Sequence, residues 1–107
     1  AALAAALACS GPDEHARGRA LYRTQGCATC HGDEGQGVAA TAPPLRGLRE
    51  HWDRASLAEY LRNPRRAIEG DPRLAAMRER FTIEMPAIAV REDERLALAD
   101  FVLALGP

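Results

Sequence analysis

Two cysteines and a histidine lie within five positions of this 107-residue chain, in the stretch Cys27-Ala28-Thr29-Cys30-His31. Two thiols separated by two residues can each form a thioether with one of the two vinyl groups of a single porphyrin, and the adjacent imidazole then lies close to the iron. This C-x-x-C-H spacing is the pattern of covalent c-type haem attachment. The motif therefore predicts a haem c bound to Cys27 and Cys30, with His31 as an axial iron ligand.

The same residues would also allow two other kinds of chemistry. A disulfide redox pair usually lies between a buried strand and a helix, and no strand is predicted before Cys27. A zinc site needs further ligands, but the other candidates, Cys9, His15 and His51, are scattered and form no second paired motif. Haem attachment is therefore the favoured interpretation of the motif.

Three helices within the first eighty residues are predicted from the residue types at their starts and ends. Acidic residues in a first turn, a capping-box pattern and an aspartate before a proline are typical helix starts. A glycine just before the motif and an asparagine before a proline are typical helix ends. These signals predict helices from Pro12 to Gly26, from Ser56 to Asn63 and from Asp71 to Arg80.

A fourth helix is predicted at the end of the chain from its apolar stripe. Four apolar residues fall at i, i+3, i+4 and i+7, namely Leu98, Phe101, Val102 and Leu105. We expect this stripe to cross the first helix near Gly18, which shares a helix face with Leu21 and Tyr22. The segment between residues 32 and 47 is rich in Gly, Ala and Pro and has no period, which suits a loop around a flat cofactor. With no alternating strand pattern and no second C-x-x-C-H motif, the sequence predicts an all-α domain with a single haem.

The composition fits a small domain that needs a cofactor in its core. A domain of 107 residues is only marginally stabilised by burying its own apolar side chains. Aromatic residues make up only 5% of the chain and many of the apolar residues are alanine, so a buried haem would supply the missing core. The net charge of −1 does not indicate nucleic-acid binding. Residues 52–80 are net positive and residues 81–107 net negative, a mild dipole that could orient docking, although an ordinary solvated surface of mixed charge is the favoured interpretation.

With its flanking segments, the motif resembles a class I monohaem cytochrome c of bacterial type over residues 14–106. The features that carry the resemblance follow one order along the chain: Gly18-Arg19-Ala20-Leu21-Tyr22, His31-Gly32 with the glycines at 35 and 37, Pro43-Pro44-Leu45, Met85-Pro86, and a closing helix from Glu92 to Leu105. The resemblance implies a small cytochrome c-like helical fold wrapped around one covalent haem c.

The resemblance also implies roles for single residues. The backbone carbonyl of Pro44 would accept a hydrogen bond from the His31 imidazole. Trp52 could donate its indole N–H to a haem propionate, although a packing role fits it equally well. Met85 stands where the family supplies the second axial ligand, and Pro86 keeps it out of the helical conformation, in a loop that can approach the iron.

The remaining candidates around the haem are weaker. Met77 lies in a helical run, where methionine usually fills a gap in a core. His51 has the surroundings of a solvated surface histidine, and His15 comes too early in the first helix to face the far side of the iron. Arg46 and Arg49 could pair with propionates, but surface arginines usually do nothing specific. We therefore predict axial ligation by His31 and Met85.

The first residues have the character of an export signal. Residues 1–8 are small and apolar, and Ala6-Leu7-Ala8 fits both a small-x-small cleavage site and, loosely, a lipoprotein box before a lipidated cysteine. That box prefers leucine where Ala6 stands, and Cys9 as an ordinary small apolar residue of a leader is the alternative. We expect residues 1–12 to be a signal-peptide remnant and tether with Cys9 as the lipidation site, and residues 13–107 to be an exported cytochrome c domain.

These inferences predict a one-electron carrier rather than an enzyme, working in a periplasmic or membrane-associated redox chain. Its expected partners are redox proteins such as a respiratory complex or an oxidase. The closest alternative is a fixed haem relay subunit of a larger membrane oxidoreductase. An open-site haem enzyme or gas-binding module would need a vacant position on the iron, which Met85 would fill.

Overall fold

The computed structural model describes residues 14–106, which form six α-helices and one turn of 3-10 helix but no strand. The α-helices are α1 (Ala16–Thr24), α2 (Cys27–His31), α3 (Arg54–Arg62), α4 (Pro64–Glu69), α5 (Pro72–Glu79) and α6 (Glu92–Leu103), and the 3-10 helix is Leu48–Glu50. The prediction of an all-α domain is confirmed. The expectations for Cys9, Pro12 and Asp13 lie outside the described residues.

The first and last helices cross at a glycine. Gly18 is buried in α1, and a Cβ atom placed on it would overlap the backbone oxygen of Ala97 and lie 2.5 Å from the Cβ of Phe101. One helical turn further along α1, the rings of Tyr22 and Phe101 pack edge to face with centroids 5.5 Å apart. The predicted crossing of the terminal apolar stripe over Gly18 is therefore confirmed.

Helix α3 completes the core by packing against α6 as well. The buried apolar residues that pack into one core cluster come from α1, α3, α6 and the segment before α6; they are Leu21, Tyr22, Leu57, Ala58, Leu61, Ile88, Leu98, Ala99, Phe101 and Val102. Because α2 follows α1 after only two residues, this core holds the C-x-x-C-H segment in a fixed place.

Two predicted helix starts are corrected. Among the described residues the first helix begins at Ala16 with His15 as its N-cap, so Glu14 and His15, which the prediction included in the helix, are not helical. The helix predicted from Ser56 begins at Arg54 with Asp53 as its N-cap. The carboxylate of Asp53 accepts from the Ser56 N–H at 2.8 Å, and the Ser56 hydroxyl accepts from the Asp53 N–H at 3.0 Å. This reciprocal pair satisfies two otherwise unpaired N–H groups, so Ser56 is the third helical residue rather than the cap.

One helix end and one helix start were predicted correctly, and one helix was not predicted. α3 ends before Asn63, as expected, but the Asn63 side chain then accepts from the Arg66 N–H at 3.3 Å and starts α4, which the sequence analysis missed. α5 begins as predicted, with Asp71 as N-cap accepting from the Arg73 N–H at 2.9 Å. The last helix ends at Leu103, two residues before the expected end.

Candidate haem-binding site

Helix α2 carries the two thiols and the imidazole within little more than one turn. Cys27 and Cys30 are three residues apart and Cys27 and His31 four, which are the spacings that bring helical side chains together. Gly26 allows the change of direction between α1 and α2, because its φ of 78° lies in the left-handed region that glycine adopts easily. The two cysteines are half-buried and His31 is 7% exposed.

The His31 ring is held by a backbone hydrogen bond. Its Nδ1 lies 2.8 Å from the carbonyl oxygen of Pro43. Burial lowers the pKa of His31, with a smaller opposing effect from this hydrogen bond, and thus favours the neutral imidazole. A neutral ring that donates from Nδ1 keeps its lone pair on Nε2, which is the atom free to bind a metal.

The acceptor of this hydrogen bond is Pro43, so the prediction of Pro44 is wrong by one residue. Pro43 precedes a proline and is therefore held in an extended conformation. Successive carbonyls of an extended segment point in different directions, so only one of the two neighbouring carbonyls can face the imidazole. The sequence identified the segment but not which of its carbonyls turns towards His31.

The loop after α2 is folded back so that it can supply this carbonyl. The Gly37 N–H donates to the His31 carbonyl, and the Leu45 N–H donates to the Gly35 carbonyl, both at 2.7 Å. Gly37 has a φ of 84°, and a Cβ on it would lie 2.6 Å from the Pro44 nitrogen. Gly37 thus permits both the turn and the close approach of the two sides of the loop.

An apolar cleft of about 700 Å³, its open mouth included, lies beside the motif. Its wall contains Cys27 from α2, Pro43 from the loop that binds His31, and Met85 from the segment between α5 and α6. Apolar side chains of α1, α3, α5 and α6 complete it, among them Leu57, Leu61, Leu74 and Leu98. A thiol and a thioether line this apolar cleft, and the imidazole of His31 is hydrogen-bonded to Pro43 of its wall, so the residues present fit a covalent haem.

Both methionines reach the cleft. Met85 lies in the non-helical segment between α5 and α6, as predicted, and is half-buried. Met77 lies on α5, also half-buried, and lines the same cleft rather than an enclosed core. His51 is exposed, and neither it nor His15 contributes to the cleft wall.

One charged residue of the cleft wall was not predicted from the sequence. Arg73 lines the cleft, and its guanidinium lies 5.4 Å from the centroid of the Trp52 ring, which also lines the cleft. Asp71 is the nearest acidic partner of Arg73, at 3.7 Å. Arg49, expected near a propionate, instead donates to the Leu103 carbonyl at the end of α6, at 2.9 Å. Arg46 is exposed and lies outside the cleft wall.

The structure does not favour the two alternative uses of the motif. Among residues 14–106, no three His, Cys, Asp or Glu side chains are grouped closely enough to hold a metal ion, so a zinc site gains no support. Burial raises the pKa of Cys27, with a smaller contribution from Cys30. Reactive redox cysteines have a lowered pKa, and Cys27 therefore lacks their character.

The family model for cytochrome c matches residues 15–106. The chain belongs to the cytochrome c family. No curated protein and no solved structure matches it significantly. The predicted resemblance to a monohaem cytochrome c is confirmed, and membership implies one covalently bound haem c in a domain of this size.

Family membership also gives the general function. A cytochrome c domain is a haem-based electron carrier that exchanges electrons with redox partners, and such domains are typically exported. In the described part of the chain, no helix is both long and apolar enough to cross a membrane.

Proposed function

We propose that this cytochrome c is a one-electron carrier with a closed iron site, in which Cys27 and Cys30 bind the porphyrin covalently and His31 and Met85 bind the iron. The observation that carries the proposal is the shared cleft, whose wall includes both Cys27 and the thioether of Met85. When bound, the haem supplies a reversible change between ferric and ferrous iron.

The surroundings of the cleft favour electron transfer over substrate chemistry. A thioether is a soft ligand that favours ferrous iron, and an apolar wall disfavours the additional charge of ferric iron, so both raise the reduction potential. His31 and Met85 would together hold the iron and leave no position on it for a substrate. A haem enzyme or gas-binding protein needs that position, which is why we propose that the protein is not itself an enzyme.

Met85 is a better ligand candidate than Met77 because of its backbone. Pro86 excludes Met85 from the helical conformation, and the segment around it can place the thioether without distorting a helix. Met77 belongs to α5, where its position is tied to the packing of that helix through the buried Leu74.

Two alanine variants test this assignment. We expect the ferric wild-type protein to be low-spin, with the weak far-red band of sulfur-to-iron charge transfer. Met85→Ala should lose the band, lower the reduction potential and let the ferrous protein bind carbon monoxide. Met77→Ala should keep the band and mainly lose packing energy, about 2 kcal/mol. A high-spin wild-type spectrum, or loss of the band in Met77→Ala alone, contradicts the proposal.

The charged end of the haem has a matching site. A haem propionate is an anion, and Arg73 with the indole N–H of Trp52 offers a cation and a donor on one side of an otherwise apolar cleft. We therefore extend the propionate role proposed for Trp52 to the pair of residues. The packing of Trp52 against the Tyr60 ring, with centroids 5.1 Å apart, supports the indole in this position.

For the cellular role, we propose a carrier of bacterial type in a periplasmic redox chain, with a respiratory complex or oxidase as its partner. Ala6-Leu7-Ala8 before Cys9 supports a lipid tether at that cysteine. A fixed relay subunit of a membrane oxidoreductase has the same sequence features. Co-purification of a stable complex would favour the subunit, and an isolated monomer would favour the carrier.

A further inference from the structure

The segment that carries Met85 is fixed by contacts with other parts of the protein. Residues 80–91 join α5 to α6 without helical structure. Before Met85, the Thr82 N–H and hydroxyl both donate to the Ala40 carbonyl, at 2.9 and 3.0 Å. After Met85, the Ile88 side chain is buried in the core and its N–H donates to the Leu61 carbonyl at 2.8 Å. The position of Met85 therefore depends on anchors on either side.

Arg95 of α6 adds a buried anchor on the C-terminal side. Its residue exposure is 7%, and its guanidinium donates to the Ile88 carbonyl at 3.2 and 3.3 Å and to the Val90 carbonyl at 2.6 Å. The remaining guanidinium nitrogen, Nη1, donates to the carboxylate of Glu92, one helical turn earlier, at 2.6 Å. One side chain thus binds two carbonyls of the segment to the last helix.

These contacts use the particular geometry of arginine. A buried charge is unfavourable unless it is paired and its donors are satisfied, and Arg95 meets both conditions through Glu92 and the two carbonyls. Lysine has a single nitrogen, so it cannot reproduce the fork that contacts two carbonyls and a carboxylate together. Ile88 is only three residues from Met85, a distance of at most about 10 Å along an extended chain.

A second, exposed anchor lies directly beside Met85. The carboxylate of Glu84 is 3.2 Å from the guanidinium of Arg65 on α4 and 3.6 Å from that of Arg78 on α5. The Glu84 side chain is 42% exposed, so each ion pair contributes little by itself. The two ion pairs nevertheless join the Met85 segment to α4 and to α5, and α5 lines the cleft.

We propose that Arg95 is a positioning residue for the sixth iron ligand, with Glu84 as a weaker one on the other side of Met85. This proposal rests on the proposed ligation of iron by Met85. The two anchors restrict the excursions of Met85 away from the iron, so they determine how often the sixth position opens. Arg95 acts through the backbone of residues 88–90 and is not part of the cleft wall.

The test measures the rate at which carbon monoxide binds to the ferrous holoprotein at 25 °C, because binding requires Met85 to leave. Arg95→Gln and Arg95→Lys should accelerate binding, the glutamine variant on the order of tenfold, since buried carbonyls lose their partners. The matched control is Arg62→Gln, which removes another arginine paired with a glutamate three residues earlier, Glu59, but touches no residue of the segment. The control should bind carbon monoxide at the wild-type rate.

A purely structural role for Arg95 gives a different result. In that case Arg95→Gln would lower the thermal unfolding midpoint but leave the rate of carbon monoxide binding to the folded protein unchanged. That outcome overturns the proposal. If Arg95→Gln does not fold, Arg95→Lys and the exposed substitution Glu84→Gln decide. We expect an increase of about twofold to fivefold for Glu84→Gln, with Glu59→Gln as its control. If Arg95→Lys and Glu84→Gln both bind carbon monoxide at the wild-type rate, the proposal is overturned.

The wild-type spectrum and the binding rates of these variants together separate this proposal from the proposed function. A wild-type ferric spectrum without the far-red band overturns the ligation by Met85 and with it the role of Arg95. A wild-type spectrum that has the band, together with unchanged binding rates in Arg95→Lys and Glu84→Gln, overturns the positioning role alone.

Discussion

The close crossing of α1 and α6 can be tested with the substitution Gly18→Ala. In an exposed helix this change would stabilise the protein by about 1 kcal/mol, because alanine has the higher helix propensity. Here the added Cβ would overlap the Ala97 carbonyl oxygen and lie 2.5 Å from the Phe101 Cβ. Neither atom belongs to a flexible side-chain end, so the two helices must move apart.

The magnitude follows from these opposing effects. Overpacking a well-packed contact destabilises a protein by about 1–3 kcal/mol. Because a backbone atom and a Cβ are both overlapped, we take the upper end of this range and subtract the gain in helix propensity. The net loss is about 2 kcal/mol, which corresponds to a lowering of the unfolding midpoint by about 10 °C for a domain of this size.

The assay is thermal and guanidinium unfolding of the holoprotein, followed by far-UV circular dichroism. The matched control is Gly70→Ala, because Gly70 has a negative φ of −95° and the nearest atom to its added Cβ would be 3.9 Å away. The control should be neutral or stabilising by up to about 1 kcal/mol. If Gly18→Ala unfolds at or above the wild-type midpoint, the reasoning about this crossing is refuted.

Two further predictions concern pH and capping. Burial raises the pKa of Tyr22 to about 12, so the unfolded state loses this proton first and the stability of the fold should decrease as the pH rises from about 10 to 12. In guanidinium unfolding, Tyr22→Phe should lose less stability over this pH range than the wild type. An equally steep loss would contradict the assignment. Asp53→Ala should lower the thermal midpoint by a few degrees, whereas Asp53→Asn should have little effect because asparagine also caps a helix. The pKa of Asp53 is lowered mainly by the Ser56 N–H, so the contribution of its charge is present at neutral pH and is lost in acid as the pH falls through the lowered value.

The sequence predicted the features that depend on strong local chemistry. Asp71 before Pro72 has few roles other than starting a helix, and the structure uses it in that role. Gly18 on the apolar face of a helix indicates a close approach, and the terminal stripe contains the partner residue Phe101. In both cases one residue type is much better suited than the alternatives, so the pattern is informative without knowledge of the rest of the fold.

The errors arose where a local pattern allows two solutions. Ser56 fits a cap and also fits the third position of a helix capped by Asp53, and the structure adopts the solution that pairs both residues. Asn63 before a proline was interpreted as an end, but its side chain also starts α4. Nothing in the sequence separates these solutions, because the choice depends on how α3 and α4 pack.

The cleft shows a second kind of limit. All fourteen basic residues are arginines, and only the position of the first turn of α5 against Trp52 distinguishes Arg73 from the others. The choice between the carbonyls of Pro43 and Pro44 likewise depends on the path of the loop around His31. Such properties follow from three-dimensional placement and not from residue type or spacing.

The crossing of α1 over α6 also sets an order of events in folding. The two helices lie near opposite ends of residues 14–106, so their contact closes almost the whole domain into one loop, and it cannot form until the last helix has been made. Cys27, Cys30 and His31 are synthesised long before that helix. In a growing chain, the haem-attachment motif is therefore available before α6 arrives and completes the core.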